Sequence, residues 1–117
     1  MIFDRYTYNA KITDIVDGDT IIAHIDLGFR ISREMVLRLA RIDTPEIRGA
    51  TKEAGNVSKE YVINNALGKQ VTIKTHKDKT EKYGRYLADI YIENDVGVVD
   101  CLNDMLVRLG LAMYKTY

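Results

Sequence analysis

What this sequence has little of narrows it first. Its 117 residues include one cysteine and one proline, and its basic and acidic residues cancel to a formal net charge of zero. A lone cysteine closes no internal disulfide, so nothing requires an oxidising compartment. Cys101 lies in an apolar run with Val98, Val99 and Leu102 and reads as a packing residue. No apolar run approaches the roughly 20 residues that cross a bilayer. Asp4 and Arg5 interrupt any export-signal core in the opening Met1-Ile2-Phe3-Asp4-Arg5-Tyr6. The expectation is therefore a cytoplasmic protein, or a secreted one if the chain is a processed fragment, with no membrane partner. No hydrophobic surface stripe points to an oligomer, so a monomer is expected. There is no internal repeat, low-complexity segment or linker, and the length suits a single domain over residues 1–117 with one modest core.

Neutral net charge argues against a general nucleic-acid coater, but the charge is unevenly placed. Residues 69–85 hold six basic side chains (Lys69, Lys74, Lys77, Lys79, Lys82, Arg85) against two acidic ones. Residues 89–104 hold five acidic side chains and no basic one. One edge could attract a polyanion while the whole stays neutral; a lysine-rich solvated loop would look the same.

Periodicity gives the elements. Residues 7–16 alternate and are rich in β-branched and aromatic types, which predicts a strand. Asp17-Gly18 is a hairpin signal, Thr20–Leu27 a second strand, and Gly28–Ser32 a turn. Val36-Leu37-Arg38-Leu39-Ala40-Arg41-Ile42-Asp43-Thr44-Pro45-Glu46 reads as a third, apolar strand ending in two carboxylates. Thr51 is expected to cap a helix from Lys52 to Leu67, with Ala54, Val57, Tyr61, Val62 and Ala66 as its apolar stripe and Gly68 as its stop. Gly55 should weaken that helix by about 1 kcal/mol relative to alanine. Strands are expected at 70–74 and 85–92, a short strand or extended piece at 96–99, and a basic loop over 76–83. A short helix over 102–109 and a loosely held tail complete the reading. The order β-β-β-α-β-β-α predicts a mainly β fold (β+α): a five-stranded OB-fold barrel with a helix between strands three and four and a short C-terminal helix.

The chemistry concentrates in the third strand. Arg38 sits among residues that alternation sends toward an interior, which is costly unless an anion meets it. Asp43 and Glu46 follow across Pro45. A phosphodiester, a metal ion and a water would explain all three charges; so would a structural ion pair of Arg38 with Asp43 or Glu46. Arg38 and Asp43 are five positions apart, so strict alternation puts them on opposite faces and a bend, a bulge or the strand's end must bring them together. Asp19 flanks Gly18 in Val16-Asp17-Gly18-Asp19-Thr20, and Arg85 follows Lys82-Tyr83-Gly84 at the start of a strand. An arginine there can bind two phosphate oxygens with its planar fork. His24 reads as a surface position, and His76 has no partner at metal-ligand spacing, so neither is assigned a catalytic role.

These motifs occur together in one order: V-D-G-D-T at 16–20, R-L-x-R-I-D-T-P-E at 38–46, K-Y-G-R at 82–85 and N-D-M-L-V-R-L-G-L-A at 103–112. Together they resemble the staphylococcal nuclease (thermonuclease) family over nearly the whole chain. The resemblance implies Ca²⁺-dependent hydrolysis of DNA and RNA phosphodiesters that leaves 3′-phosphate ends. Position by position it implies Asp19, Asp43 and the Thr44 carbonyl as metal ligands, Glu46 as general base, and Arg38 and Arg85 as phosphate-holding groups. It further implies Tyr83, with Lys82, as substrate contacts. Tyr114 is a candidate for the family's tyrosine over the substrate, as is Tyr117, although direct alignment from Gly110 puts Thr116 there. Longer family members carry a third helix that has no counterpart before Tyr117. An oxygen-only site would also accept Mg²⁺ or Mn²⁺. The alternative is a catalytically inactive OB-type module that binds nucleic acid or protein; the presence of Asp19, Arg38, Asp43, Glu46 and Arg85 together favours the enzyme.

Overall fold

The alternating apolar residues of the first three strands meet in one interior. In the computed structural model, which describes residues 5–80 and 85–115 (for 77–80 the backbone alone), β1 spans Thr7–Asp17, β2 Thr20–Gly28 and β3 Ile31–Leu39. Ile12, Ile21, Ala23, Leu37 and Leu39 are fully buried. Two register breaks in the β1–β2 ladder, at Ile12/Asp14 and Ile15/Asp17, let β1 coil around the interior.

After α1 (Lys52–Ala66) come β5 (Gln70–Thr80) and β6 (Tyr86–Glu93). β5 pairs β1 and β6 pairs β5, both antiparallel. The barrel closes where Leu37-Arg38-Leu39 of β3 run parallel to Tyr86-Leu87-Ala88 of β6. The result is a closed five-stranded mixed barrel of OB type, as the sequence predicts. Val62 and Ala66 of α1 and Leu102 and Leu106 of α2 (Leu102–Arg108) join its core. Among the described residues no helix is long and apolar enough to cross a membrane.

Several expected boundaries are corrected. The third strand begins at Ile31 and ends at Leu39, and only Phe29 and Arg30 form the tip of the β2–β3 hairpin. The chain then turns at Ala40-Arg41 and resumes as a two-residue β4 (Ile42–Asp43). β5 runs on as strand to Thr80, which pairs Tyr86, so the first part of the expected basic loop lies in the sheet. Residues 81–84, with Lys82 and Tyr83, fall outside the described residues, as do Thr116 and Tyr117. The expected strand at 96–99 is instead β7, Val99–Cys101, because Asn94 Oδ1 accepts from the Val96 and Val98 amides and folds 94–98 into a turn. The tail is not loose up to residue 115. β8 (Met113–Tyr114) pairs Ile42–Asp43, satisfying backbone groups that β4 would otherwise leave open.

The helix stripe is also corrected. The buried positions of α1 are Gly55, Ser58, Val62 and Ala66, while Val57 is exposed. The reason is proximity. A Cβ on Gly55 would lie 2.5 Å from the Glu46 carbonyl oxygen, so the helix rests directly on the Pro45-Glu46 backbone and only a glycine fits. Thr51 makes no side-chain cap on the helix; its hydroxyl donates to the Glu46 carbonyl at 2.8 Å. The 3-10 turn Gly49–Thr51 in front of α1 draws that hydroxyl back toward the loop.

Candidate active site

The site assembles where three parts of the chain meet: the Asp17–Thr20 turn between β1 and β2, the corner after β3, and Arg85 just before β6. The β2–β3 ladder pairs Thr20 with Arg38, so the first carboxylate-bearing turn lies across from the strand's arginine. Gly18 contributes by what it lacks. A Cβ there would stand 2.9 Å from Ser58 Cβ and 3.0 Å from Thr44 Cγ2, so the hairpin, helix α1 and Thr44 close on one another through it.

The apparent conflict between Arg38 and Asp43 is resolved by the Ala40-Arg41 turn. Arg41 adopts φ 68°, in the left-handed region, and reverses the chain around the Arg38 guanidinium. Arg38 Nη1 donates to the carbonyls of Leu39 and Ile42 at 2.8 and 3.0 Å. Its Nη2 donates to Asp43 Oδ1 at 3.0 Å and lies 3.2 Å from Asp19 Oδ2. Arg38 is 6% exposed, so its charge is buried and met by two carboxylates and two carbonyls. Both expected metal carboxylates thus converge on one nitrogen.

Asp19 is the better buried of the two. Its Oδ2 accepts the Thr44 amide at 3.0 Å and its Oδ1 the Thr20 hydroxyl at 3.3 Å. Burial alone would raise its pKa. The hydrogen bonds from Asp17 and the Thr44 amide and the Arg38 charge overcome this and hold it below the usual carboxylate range. Asp17 moves the other way: burial first, then the bond to Asp19 and its charge, push it up to about 6. Asp19 is thereby kept ionised, and of the pair it is Asp17 that takes up a proton first as the pH falls through about 6.

Arg85 joins through Thr20: its Nη1 donates to the Thr20 hydroxyl at 3.1 Å, and that hydroxyl donates to Asp19. Arg85, Thr20, Asp19 and Arg38 therefore form one connected chain of polar contacts. Glu46 is exposed beyond Pro45, with its backbone carbonyl pinned by Thr51 and packed on Gly55. It does not join Asp19 and Asp43 as a third clustered carboxylate: among the described residues no three His, Cys, Asp or Glu side chains gather to hold a metal ion. Lys115 Nζ lies 4.0 Å from Asp43 Oδ2. The Tyr114 hydroxyl is given to Asp104 at 2.9 Å, on the α2 side of the corner.

The donor set suits a hard divalent cation. Asp19 offers carboxylate oxygens from the β1–β2 turn and Asp43 from β4, and Thr44, whose amide donates to Asp19, follows Asp43 directly and would add its backbone carbonyl. Such a set leaves most coordination positions to water and to a phosphate oxygen. Cys101, the chain's one thiol, is buried elsewhere and burial raises its pKa, consistent with packing.

Four residues at the site carried no assignment from the sequence. Thr20 looks like an ordinary strand residue. Arg41 is one of many charged residues. Ser58, 0% exposed, donates to the Leu111 carbonyl at 2.6 Å and ties α1 to the segment before β8. Asn103, 0% exposed, donates to the carbonyls of Ala40 and Ala88 and accepts from the Ile90 amide. The signal for Asn103 was an amide set between Leu102 and Leu106 in the short helix. His76, read as without a partner at metal-ligand spacing, has Nε2 3.1 Å from Asp89 Oδ2.

Comparison with known proteins gives the same family by a separate route. The sequence profile described as "Staphylococcal nuclease homologue" matches residues 36–117. Thermonuclease of Staphylococcus hyicus is 29% identical over 114 residues, covering 92% of this chain and 59% of that protein. Thermonuclease of Staphylococcus intermedius is 29% identical over 110 residues, covering 88% and 57%. An uncharacterised protein of Methanocaldococcus jannaschii is also 29% identical, over 126 residues, covering 90% and 58%. The chain thus spans a little under three fifths of the length of these relatives. With a matching barrel, two guanidiniums and two carboxylates at one end of it, and a family match across more than half its length, the chain belongs to the staphylococcal nuclease homologue family.

Proposed function

We propose that the protein is a divalent-cation-dependent nuclease that hydrolyses phosphodiester bonds of DNA or RNA and leaves 3′-phosphate ends. The observation that carries this reading is the convergence of Asp19 and Asp43 on Arg38 Nη2, with Arg85 joined to the same cluster through Thr20. A phosphodiester is an anion, and attack on it places further charge on its oxygens. Two guanidiniums, Arg38 on β3 and Arg85 just before β6, favour that charge more in the transition state than in the ground state.

Asp19, Asp43 and the Thr44 carbonyl would hold the cation, with Ca²⁺ as the expected ion and Mg²⁺ or Mn²⁺ as chemically admissible ones. A cation held there would supply Lewis-acid polarisation of a phosphate oxygen and a lowered pKa for a neighbouring water. Glu46, exposed and anchored through its backbone, accepts a proton from the attacking water. Arg38 is held against the carboxylates and orients them; as substrate phosphate arrives, its guanidinium is placed to share their charge with it. Arg85 reaches the phosphate from the β6 side. Lys82 and Tyr83 precede it in sequence and are assigned to the adjoining sugar and phosphate, and Tyr114 to the nucleotide's far side.

The test is cleavage of a short single-stranded DNA with Ca²⁺, with Mg²⁺ and with chelator, the product ends read by mass. Cleavage that needs the cation and leaves 3′-phosphates bears the reading out. A folded protein that cleaves under none of these conditions overturns it in favour of a binding module.

A further inference from the structure

We propose that Arg41 is a positioning residue for the Asp19–Asp43 site: gripped by Asp89 of β6 and Asp104 of α2, it holds the left-handed corner that delivers Asp43 and Thr44 to Arg38 and Asp19. This rests on the reading of that cluster as the nuclease centre.

The corner is a demanding piece of backbone. Arg41 has φ 68°, a conformation that a side chain with a Cβ adopts at a cost and that persists only where its surroundings enforce it. Its surroundings do enforce it. Arg41 Nε and Nη2 both donate to Asp89 Oδ1, at 3.1 and 2.8 Å. Nη1 and Nη2 donate to the two oxygens of Asp104, at 2.9 and 3.2 Å, a bidentate pair.

The two carboxylates are themselves braced. His76 Nε2 meets the second oxygen of Asp89, and the Tyr114 hydroxyl donates to Asp104. The corner's backbone is held from the same directions. Ala40 donates to the Ala88 carbonyl at 2.8 Å and accepts from Asn103 at 2.9 Å, and the Arg41 carbonyl accepts the Lys115 amide at 2.7 Å. Two elements, β6 and α2, and the Lys115 amide just past β8 therefore converge on two residues that carry no ligand themselves.

The site begins immediately beyond the corner. Ile42 and Asp43 supply two of the acceptors of Arg38, and the Thr44 amide donates to Asp19. A rotation at Arg41 would displace all three contacts together. Arg41 therefore acts on the cation site through the backbone of 42–44, since its own side chain is directed to Asp89, Asp104 and Cys101.

The experiment compares the parent with Arg41→Ala, Asp104→Asn and Arg41→Lys, each studied well below its own melting temperature. The first readout is exchange of the Thr44 amide proton in metal-free protein, which reports the bond to Asp19 directly. The second is Ca²⁺ affinity by calorimetric titration in the absence of nucleic acid. Positioning predicts roughly tenfold faster Thr44 exchange and at least about fivefold weaker Ca²⁺ binding in Arg41→Ala, a smaller change of the same sign in Asp104→Asn, and partial recovery in Arg41→Lys. If Arg41→Ala does not fold, Asp104→Asn decides, because it leaves the corner's own residue in place. Thr44 exchange within about twofold of the parent in the folded variants would overturn the proposal and make the cluster a stability staple. A parent that binds no Ca²⁺ would remove the functional reading alone, and the exchange measurement would still decide the positioning.

Discussion

The two ends of β3 use the same unusual backbone for opposite purposes. At its start, Phe29 and Arg30 have φ 55° and 63°. At its end, Arg41 has φ 68°. The tip is a two-residue hairpin whose paired left-handed residues match the twist of the strands they join. Phe29 is 98% exposed there, so its conformation answers only to the turn. The corner answers to the site: its side chain is spent on two carboxylates and its backbone on neighbouring elements. A left-handed residue is thus informative in proportion to what holds it.

The largest effect should separate the site from the tip outright. Glu46→Gln keeps the size of the side chain but removes its basicity, and cleavage should fall by about 10²–10⁴-fold. Phe29→Ser should leave the cleavage rate unchanged in the same assay. Equal losses in both would mean that the site has been placed wrongly.

Glycine at Arg41 and glycine at Phe29 should act with opposite sign. Arg41→Gly relieves the backbone but strips Asp89, 5% exposed, of its arginine. Urea denaturation should show a loss of about 2 kcal/mol, since a buried carboxylate deprived of its guanidinium outweighs the relief. Phe29→Gly relieves the backbone and uncovers nothing, and should gain up to about 1 kcal/mol.

Two alanine substitutions sharpen the same contrast. Gly55→Ala should improve helix propensity by about 1 kcal/mol. Its Cβ would nevertheless meet the Glu46 carbonyl carbon at 2.6 Å and the Pro45 carbonyl oxygen at 2.7 Å. A net loss of about 1–2 kcal/mol is expected, with a displaced Glu46 loop and reduced cleavage. Gly28→Ala, near the tip, has open space around it and φ 82°, so about 1 kcal/mol of stability is lost there and no activity.

The smallest effect is a pH dependence confined to the site. Asp17 titrates near 6 in the fold against an ordinary 3.8, so the folded state binds the extra proton. The stability this adds is complete below pH 3.8 and is lost as pH rises through about 6. Asp19, held low, contributes in the opposite sense: its stabilisation is present above the ordinary value and is lost as pH falls through its lowered pKa. Melting temperatures of the metal-free protein should therefore rise on acidification from about pH 7 toward about 5, and Asp17→Asn should flatten that rise. An unchanged profile in Asp17→Asn would show that the Asp17–Asp19 pair does not share a proton.

Much of this molecule is legible along the chain because strand alternation and turn chemistry are local. The order of strands and helices, the Asp17-Gly18 hairpin, the Gly68 stop after α1 (φ 78°) and the inward set Ile12, Ile21, Leu37 and Leu39 all come from residues a few positions apart. Asp19, Arg38, Asp43 and Arg85, which the structure joins in one cluster, were legible as charged residues of a pattern, though the sequence could not say how Arg38 and Asp43 meet. Only the tertiary structure decided that, by a turn at Ala40-Arg41 whose support comes from residues 48 and 63 positions away. It likewise decided that Gly18 and Gly55 make room for a helix laid on the site, that Met113–Tyr114 completes an edge for Ile42–Asp43, and that Asp89 and Asp104 serve Arg41 and not an acidic surface. The division has a physical basis: backbone periodicity is set by neighbours in sequence, whereas the partner of a buried charge, and the space left by a missing Cβ, are set by whatever the closed barrel brings alongside.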